Sequence, residues 1–147
     1  MNKTEKGFTL FELLVSMSIV AILTAVATLS FGAAQKKGRD AKIVDDLGRI
    51  SAAAEQYYSL SNFRYPGPTG VWGVGSTWAT STGQIVLEYF PANPKGVGYT
   101  VSSIVAGNSS YCVCGRLDNP SGNSSNSGCT FVGVGGTGDY YCVKNQQ

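Results

Sequence analysis

Two groups of residues in this sequence could do chemistry: a single carboxylate inside an apolar segment, and four cysteines near the C-terminus. Glu12 lies at the start of an apolar run in which residues 13–35 carry no charge. A charged side chain at the centre of a membrane-spanning helix costs about 2.5–3.5 kcal/mol, so an acid in such a place usually has a partner of opposite charge. The cationic partner of Glu12 is therefore the first question that the sequence raises.

The cysteines favour disulfide bonds over a metal site. Their number is even, and all lie in the last quarter of the chain, beyond a segment that would place them outside the cytosol. A zinc site is the alternative, but the first two cysteines are separated by one residue instead of the two to four typical of zinc sites, and there is no second close pair. The four residues are Cys112, Cys114, Cys129 and Cys142.

The pairing of the cysteines is constrained by the predicted strand that carries the first two. Cys112 and Cys114 are two positions apart on that strand, so their side chains project to the same face and could bond each other only with strain. Each is then expected to bond Cys129 or Cys142. We favour Cys114 with Cys129 and Cys112 with Cys142, although four cysteines allow three connectivities.

The composition argues against several other functions. The chain has 147 residues, a net charge of +2 and no histidine, which removes the commonest general base and metal ligand. The basic residues do not cluster, so nucleic acid is not indicated as a partner. Asp118, Asn119, Asn123 and Asn126 offer oxygen atoms to a calcium ion, but a single carboxylate favours a solvated turn. We expect no metal, no cofactor and no enzymatic activity.

The apolar run is long enough to cross a membrane, because residues 13–35 would rise about 35 Å as a helix against a hydrocarbon layer of about 30 Å. It could be a signal peptide cut at Ala25-Val26-Ala27 or Gly32-Ala33-Ala34, but signal-peptide cores are shorter, at about 7–15 residues. A permanent anchor leaves Glu12 unexplained. A cut between Gly7 and Phe8 gives Glu12 a partner, the new amine of Phe8 on a neighbouring copy of the chain.

Beyond the apolar run, the sequence predicts that the same helix continues to about Ser61. Apolar residues recur at spacings of three and four, and no proline occurs before Pro66. The apolar stripe is expected to cover a sheet, and the charged residues are expected to occupy much of the remaining surface. The stripe consists of Ile43, Leu47, Ile50, Ala54 and Tyr57, and the charged residues are Asp40, Lys42, Asp45, Asp46, Arg49 and Glu55.

The rest of the chain predicts long loops and short strands. Residues 62–83 are rich in Gly, Pro, Ser and Thr and form a loop in which Trp72 and Trp78 are expected to act as anchors. Residues 84–90 form either a strand or a turn of helix. Strands are expected at 99–105, 111–117 and 140–144, with a short one at 130–134 and an exposed loop at 119–128.

The sequence Gly7-Phe8-Thr9-Leu10-Phe11-Glu12-Leu13-Leu14-Val15 resembles the prepilin signature of type IV pilins and of the pseudopilins of type II secretion. In that family a membrane prepilin peptidase removes a short basic leader after the glycine and methylates the new N-terminus. The segment from Phe90 to Val101 also resembles the proline-rich turn before the first strand of major pseudopilins. This chain has Asn93 and Lys95 where an aspartate and often a tryptophan are usual.

The resemblance implies an α+β fold in which one long N-terminal helix packs on a small C-terminal antiparallel sheet, the lollipop shape of pilins. It also implies a cleaved leader at residues 1–7, a hydrophobic transmembrane and polymerisation helix at 8–34, and a globular head domain at 35–147. The processing residues would be Gly7 and Phe8, and the assembly residues would be Phe8 and Glu12.

The function that the resemblance implies is that of a structural subunit of a type IV pilus-like filament. Its expected partners are other copies of itself or other pilins, the prepilin peptidase, an assembly platform with its ATPase, and membrane lipid before assembly. The expected location is the bacterial cytoplasmic membrane with the head outside the cytoplasm, and then an extracellular filament. The alternatives are a pseudopilin of type II secretion and, in a different class, a membrane-anchored extracytoplasmic binding module.

Overall fold

The computed structural model of the protein describes residues 7–67, 72–102 and 109–146, apart from the side chains of Leu29 and Ser102. The chain divides into two compact units, Met1–Gln35 and Lys36–Gln147, and we call the second the C-terminal unit. One long helix and short antiparallel strands confirm the predicted α+β class. The elements are α1 (Leu10–Leu60), β1 (Trp78–Ala79), β2 (Ile85–Leu87), β3 (Thr100–Ser102), β4 (Cys112–Arg116) and β5 (Tyr140–Lys144).

The described strands form two small antiparallel sheets. Strands β1 and β2 make a hairpin, whose turn contains Gly83 at a φ of 82°, a conformation that glycine adopts without strain. Strands β3, β4 and β5 form the second sheet with β4 at its centre. Strand β2 falls in the segment 84–90, and β3 begins the strand expected at 99–105, of which residues 103–108 lie outside the described residues. The prediction of a strand at 130–134 is wrong, because only an isolated bridge between Phe131 and Ser124 forms there.

The apolar stripe of α1 covers the three-stranded sheet, as predicted. Ile43, Leu47 and Ile50 are fully buried and belong to the same apolar cluster as Tyr99 and Val113 of the sheet side. Helix and sheet approach closely at Gly115, where a Cβ atom would lie 2.5 Å from Cγ2 of Ile43. A glycine at this position of β4 is therefore part of the packing, because close-packed interiors do not yield the room that a larger side chain needs.

Two of the acids expected on the surface of α1 are buried, and here the sequence-based prediction is wrong. Asp40 is 8% exposed and Asp46 is 5% exposed. Burial of a charged group is tolerated where hydrogen bonds replace those to water. The Asp40 carboxylate accepts from the backbone N–H groups of Asp118 and Asn119, and the Asp46 carboxylate accepts from the hydroxyl of Tyr99.

Three buried tyrosine hydroxyls bond side chains of α1 and so fix the rest of the C-terminal unit to this helix. A tyrosine hydroxyl needs a hydrogen-bond partner once its ring is buried. Each of these bonds therefore holds its tyrosine beside one particular residue of the helix. They run from Tyr99 to Asp46 at 2.9 Å, from Tyr111 to Ser51 at 3.0 Å, and from Tyr65 to Glu55 at 3.1 Å.

These tyrosines make the stability of the fold sensitive to alkaline pH. Burial raises the pKa of Tyr111 to about 12. The pKa values of Tyr65 and Tyr99 are also raised, mainly by burial and to a smaller extent by the hydrogen bond that each hydroxyl donates to a carboxylate. A pKa that is higher in the folded state gives stability that is present below the unfolded-state value of about 10. That stability is lost as the pH rises above about 10.

The segment after α1 is anchored by its aromatic side chains, as predicted, although the loop predicted at 62–83 contains a short strand, because residues 78–79 pair with β2 as β1. Trp72 and Trp78 are buried with ring centroids 4.6 Å apart, and Trp72 also contacts Phe90 and Tyr111. The indole N–H of Trp72 donates to the carbonyl oxygen of Pro66 at 3.2 Å. Loop residues 68–71 lie outside the described residues.

The loop at 119–128 is less exposed than predicted, because its backbone pairs with the segment that leads into β5. Gly122 bridges Gly138 and Ser124 bridges Tyr140, and Ser124 is fully buried. A Cβ atom on either glycine would collide with a backbone carbonyl oxygen, of Tyr140 or Ser124. The loop therefore covers the face of the sheet that α1 leaves free.

We expect Tyr99→Phe to lower the free energy of unfolding by about 1–3 kcal/mol, because the Asp46 carboxylate would stay buried without its donor. Denaturant unfolding of the full chain in detergent measures this loss. Tyr89→Phe is the control, since Tyr89 is exposed. Equal stabilities of the Tyr99→Phe protein and the unaltered protein would contradict the importance of this bond.

Candidate functional site

The N-terminal part of α1 is apolar on all sides. Its most apolar window of 18 residues has a mean hydropathy of 2.3, and no residue of this window is buried in the structure. By length and composition the helix is able to cross a membrane. The exposed large apolar residues of this part are Leu10, Phe11, Leu13, Leu14, Val15, Met17, Ile19, Val20, Ile22, Leu23, Val26 and Phe31, and Phe8 just before the helix is exposed as well.

Four hydroxyl groups in this part of the helix bond the backbone of the helix itself. Ser16 donates to the carbonyl oxygen of Glu12 at 2.7 Å, and Thr24 donates to that of Val20 at 3.0 Å. Ser18 and Thr28 make similar bonds. Because a hydroxyl that is bonded within the helix does not need water, these side chains are compatible with lipid. Within the described residues before Lys36, Glu12 is the charged side chain that remains to be explained.

Glu12 forms a reciprocal cap with Thr9 at the start of α1. The Glu12 carboxylate accepts from the backbone N–H of Thr9 at 2.9 Å and from its hydroxyl at 2.8 Å. In return the Thr9 hydroxyl accepts from the backbone N–H of Glu12 at 3.2 Å. This is a capping box, which satisfies N–H groups that a helix start leaves free, and it places the acid where the helix dipole favours negative charge.

Sequence reasoning missed the role of Thr9, although its signal was present. A Ser or Thr followed three residues later by Glu, just before an apolar run, is the signature of a capping box. Thr9 and Glu12 have this spacing. The acid therefore has a place in the single chain, but its charge is not neutralised there, because among the described residues no cation lies within ion-pair distance of Glu12.

The predicted processing residues Gly7 and Phe8 precede the helix, which begins at Leu10. Both are exposed, and the side chain of Phe8 is 86% exposed. A Cβ atom on Gly7 would meet no other atom within 4 Å. The bond between Gly7 and Phe8 therefore lies in accessible, non-helical chain, and Phe8 is about one helical turn from Glu12.

The four cysteines form two disulfide bonds, but the connectivity that we favoured is wrong. Cys114 is bonded to Cys142, and Cys112 is bonded to Cys129. The antiparallel register explains the first bond, because it places Cys114 directly opposite Cys142 with Cα atoms 4.1 Å apart. Cys112 lies opposite Lys144 instead, so its partner must come from the loop, where Cys129 lies at a Cα distance of 6.5 Å.

The sulfur atoms lie on one face of the sheet, as the two-residue spacing of Cys112 and Cys114 predicts. All four lie within 4.8 Å of one another, and a non-bonded distance of 3.4 Å separates those of Cys114 and Cys129. In a reduced chain this spacing would suit a four-cysteine zinc site, with Zn–S bonds of about 2.3 Å. In the oxidised chain one disulfide bond instead attaches the loop to β4, and the other joins β4 to β5.

Most of the side chains weighed as calcium ligands have oxygen atoms that are engaged by donors of the protein, namely those of Asp118, Asn123 and Asn126. Asp118 pairs with the guanidinium of Arg39 at 2.7 Å and with the ammonium of Lys95 at 2.8 Å. The hydrogen bond from Lys95, and then that from Arg39, hold the pKa of Asp118 below its ordinary value. Two cations beside the single carboxylate of this loop oppose the binding of a third cation.

The asparagine side chains near Asp118 support the backbone of the same loop. Asn119 donates to the Asp40 carboxylate at 2.7 Å. Asn123 accepts from the backbone N–H of Cys142 at 2.7 Å, and Asn126 accepts from that of Gly128 at 2.8 Å. These residues therefore have a structural role in the loop.

Comparison with models of protein families gives one match for the N-terminal segment. Residues 2–28 match a model described as the prokaryotic N-terminal methylation motif. Comparisons with curated proteins and with solved structures give no match. The motif supports the resemblance to type IV pilins and pseudopilins, and it indicates a structural protein that prepilin peptidase processes and that is anchored in a membrane before assembly.

We expect Asp118→Asn to reduce the loss of stability at acid pH. Because the folded-state pKa of Asp118 is lowered, its carboxylate contributes stability above about pH 4, and that contribution is lost as the pH falls below this value. Thermal unfolding between pH 7 and pH 2 should therefore show a shallower acid decline for Asp118→Asn.

The control for this measurement is Asp139→Asn, because Asp139 is exposed and makes neither of these ion pairs. Its acid decline should match that of the unaltered protein. An Asp118→Asn protein with an unchanged acid decline would show that the two ion pairs contribute nothing measurable.

Proposed function

From the methylation motif and the chemistry of Glu12, we propose that this protein is the structural subunit of a type IV pilus-like filament. Residues 1–7 are a leader that prepilin peptidase removes between Gly7 and Phe8. Residues 8–34 form the helix that spans the membrane and then polymerises, and residues 35–147 form the head. The observation that carries the proposal is the carboxylate of Glu12, which lies at the start of an apolar helix without a cationic partner among the described residues.

Removal of the leader supplies the missing cation. Cleavage creates an ammonium group at Phe8, which becomes the first residue, with Glu12 as the fifth. An ammonium and a carboxylate in an apolar environment each need an opposite charge, and two copies of the chain that are staggered along their axes supply both. The pairing of Glu12 with the amine of Phe8 on a neighbouring copy therefore sets the axial register of the assembly.

The apolar surface of residues 8–31 supplies the cohesion of the filament. In lipid these side chains gain little by leaving the acyl chains, so helices do not associate by the hydrophobic effect there. Outside the membrane, burial of each large apolar side chain against another helix contributes about 1.5–3 kcal/mol relative to exposure to water. Extraction from lipid is thus the step that makes bundling of these helices strongly favourable.

The partners follow from this sequence of events. The subunit is stored in the cytoplasmic membrane with its head outside the cytoplasm, where an oxidising compartment allows the two disulfide bonds to form. An assembly platform and its cytoplasmic ATPase then move it from lipid into an extracellular filament of identical or mixed pilins. The Glu12 pair neutralises two charges as the subunit leaves the membrane.

The second candidate is a pseudopilin of type II secretion, which the same motif and the segment from Phe90 to Val101 also support. It would form a short periplasmic fibre in place of a surface pilus. Electron microscopy distinguishes the two, because long surface fibres support the pilus, whereas their absence together with a secretion defect on deletion supports the pseudopilin. A membrane-anchored binding module would instead keep Met1 as its N-terminus and be monomeric in detergent.

We expect Glu12→Ala to give a processed, membrane-resident protein that forms few or no filaments. The substitution removes the charge that the Phe8 amine of the next copy requires, while the cleavage site is unchanged. Sheared surface fractions and electron microscopy measure filament yield, and a gel measures processing. Abundant filaments from this variant would refute the assembly role of Glu12.

Gly7→Val is expected to have the complementary effect. A branched side chain at the residue before the cut obstructs the close approach of a protease to the backbone. The variant should accumulate as the uncleaved form on a gel, with Glu12 intact. A product of mature size would count against the proposed cleavage site.

A further inference from the structure

A pocket beside the three-stranded sheet is not used by the proposed filament chemistry. Its volume is about 240 Å³, below the range of about 300–1,000 Å³ that holds drug-sized ligands, so it suits a smaller molecule. All of its lining belongs to the C-terminal unit, so the pocket does not depend on how the N-terminal helix assembles. The lining includes Asn93, Lys95, Thr100, Cys114, Arg116 and Tyr140.

The sheet places four of these side chains on one surface. Residues two apart on a strand project to the same side, so Arg116 lies on the same side of β4 as Cys114, away from α1. Tyr140 of β5 lies directly opposite Arg116, and Thr100 of β3 lies directly opposite Cys114. Directly opposite residues of antiparallel strands share a face. Strand pairing therefore fixes the positions from which these groups line the pocket.

The remaining wall of the pocket is a turn that Asn93 holds in shape. The side-chain oxygen of Asn93 accepts from the backbone N–H of Lys95 at 2.9 Å, and its carbonyl oxygen accepts from that of Gly96 at 2.9 Å. The Lys95 ammonium donates to the carbonyl oxygen of Leu117 at 3.3 Å and pairs with Asp118 at 2.8 Å. These bonds keep the wall in place without a ligand.

The amide nitrogen of Asn93 lacks a partner within the described chain. Asn93 is 6% exposed, and its bond to Lys95 identifies the oxygen of the amide, so the other end is the nitrogen. The Ser61 hydroxyl is the one fully enclosed side-chain donor or acceptor that is unpaired among the described residues, so the Asn93 nitrogen is not sealed from solvent. Largely buried amide donors usually have an acceptor. An acceptor in the pocket would satisfy this nitrogen.

The charges of the lining favour a ligand with one negative charge. Arg116 makes no ion pair with another described residue, whereas Asp118 balances the charge of Lys95. A guanidinium presents a planar fork of donors that matches the two oxygens of a carboxylate. A phosphate monoester carries about 1.5–2 negative charges and would need a second unpaired cation.

The two hydroxyl groups of the lining add a second kind of contact. The hydroxyls of Thr100 and Tyr140 make no hydrogen bond with another described residue, although both residues line the pocket. A hydroxyl can both donate and accept, so it suits a hydroxyl group of a ligand. A carboxylate at Arg116 and a hydroxyl at Thr100 or Tyr140 would then be bound by the same molecule.

The turn also contains the two positions at which this chain departs from the pseudopilin segment that it resembles. Asn93 stands where an aspartate is usual, and Lys95 stands where a tryptophan is frequent. The first departure removes a negative charge from the lining, and the second adds a positive charge. Both make the pocket more favourable for an anion.

We propose that this pocket binds a small hydroxycarboxylate. Arg116 pairs with its carboxylate, the Asn93 amide donates to the same group, and the hydroxyls of Thr100 and Tyr140 bond its hydroxyl. At about 30 Å³ for each non-hydrogen atom, the share of a water molecule in the liquid, the pocket holds about eight such atoms. The proposal does not rest on filament formation, so either can fail without the other.

The test uses the full chain in a neutral detergent and two probes of the same shape, lactate and lactamide, which differ in charge. Saturation-transfer NMR should show saturable binding of lactate with a Kd on the order of 1 mM, as expected for so small a ligand. Lactamide should bind at least about tenfold more weakly, because it lacks the charge that Arg116 recognises. Equal affinities, no saturable binding of lactate, or tighter binding of inorganic phosphate than of lactate would overturn the proposal.

A charge-removing variant and its matched control locate the site. Arg116→Gln should weaken lactate binding by about tenfold or more, which is the effect of losing hydrogen bonds from a charged group. Arg64→Gln removes the same charge from an exposed arginine outside this lining and should leave the affinity unchanged. An equal loss in both variants would reveal non-specific attraction and refute the site.

Asn93→Asp separates binding from folding. The aspartate keeps an acceptor for the backbone N–H of Lys95, so the unfolding midpoint without lactate should stay the same. It replaces the free donor by a negative charge, so lactate affinity should fall at least about tenfold. Asn62→Asp adds the same charge to an exposed asparagine outside the lining and should bind lactate normally. Unchanged affinity in Asn93→Asp, or an equal loss in Asn62→Asp, would contradict the proposal.

Discussion

The organisation of this protein depends on one unbalanced charge, the carboxylate of Glu12 at the start of an apolar helix. Within the single chain the capping box with Thr9 gives this carboxylate hydrogen-bond donors but no opposite charge. Four hydroxyl groups of the same segment are bonded to backbone carbonyl groups of the helix, so they do not need a partner from another chain. In the proposed filament a second copy supplies the opposite charge. The capping box would also hold the acid close to the end of the helix at which the new amine forms.

The C-terminal unit contains only a small sheet, so its stability depends on contacts in addition to the strand pairing. Strand β4 is buried on both faces: Val113 and Gly115 face α1, and Cys112 and Cys114 face the disulfide-bonded loop. Disulfide bonds typically contribute about 2–4 kcal/mol by restricting the unfolded chain, which is useful to a core of this size. Tyrosine hydroxyls and the ion pair between Arg39 and Asp118 add directional contacts between α1 and the rest of the unit.

The sequence predicted those features that depend on local periodicity. The continuous helix follows from the apolar spacing and the absence of proline before Pro66, and the shared face of Cys112 and Cys114 follows from the two-residue repeat of a strand. Features that depend on distant partners were not predictable in this way. The disulfide pairing depends on the register that places Cys114 opposite Cys142. The burial of Asp40 and Asp46 depends on donors that are more than fifty residues away along the chain. Ser124 is buried by a backbone bridge, which the Ser-, Asn- and Gly-rich composition of the loop at 119–128 does not indicate.

The central claim is that the mature protein begins with a free amine one helical turn before Glu12. The intact mass of the protein extracted from its native membrane tests this claim most directly. The account predicts the mass of residues 8–147 with one added methyl group on the amine of Phe8. The mass of the full chain of 15.4 kDa, or of a chain that begins beyond the apolar part of α1, would contradict it.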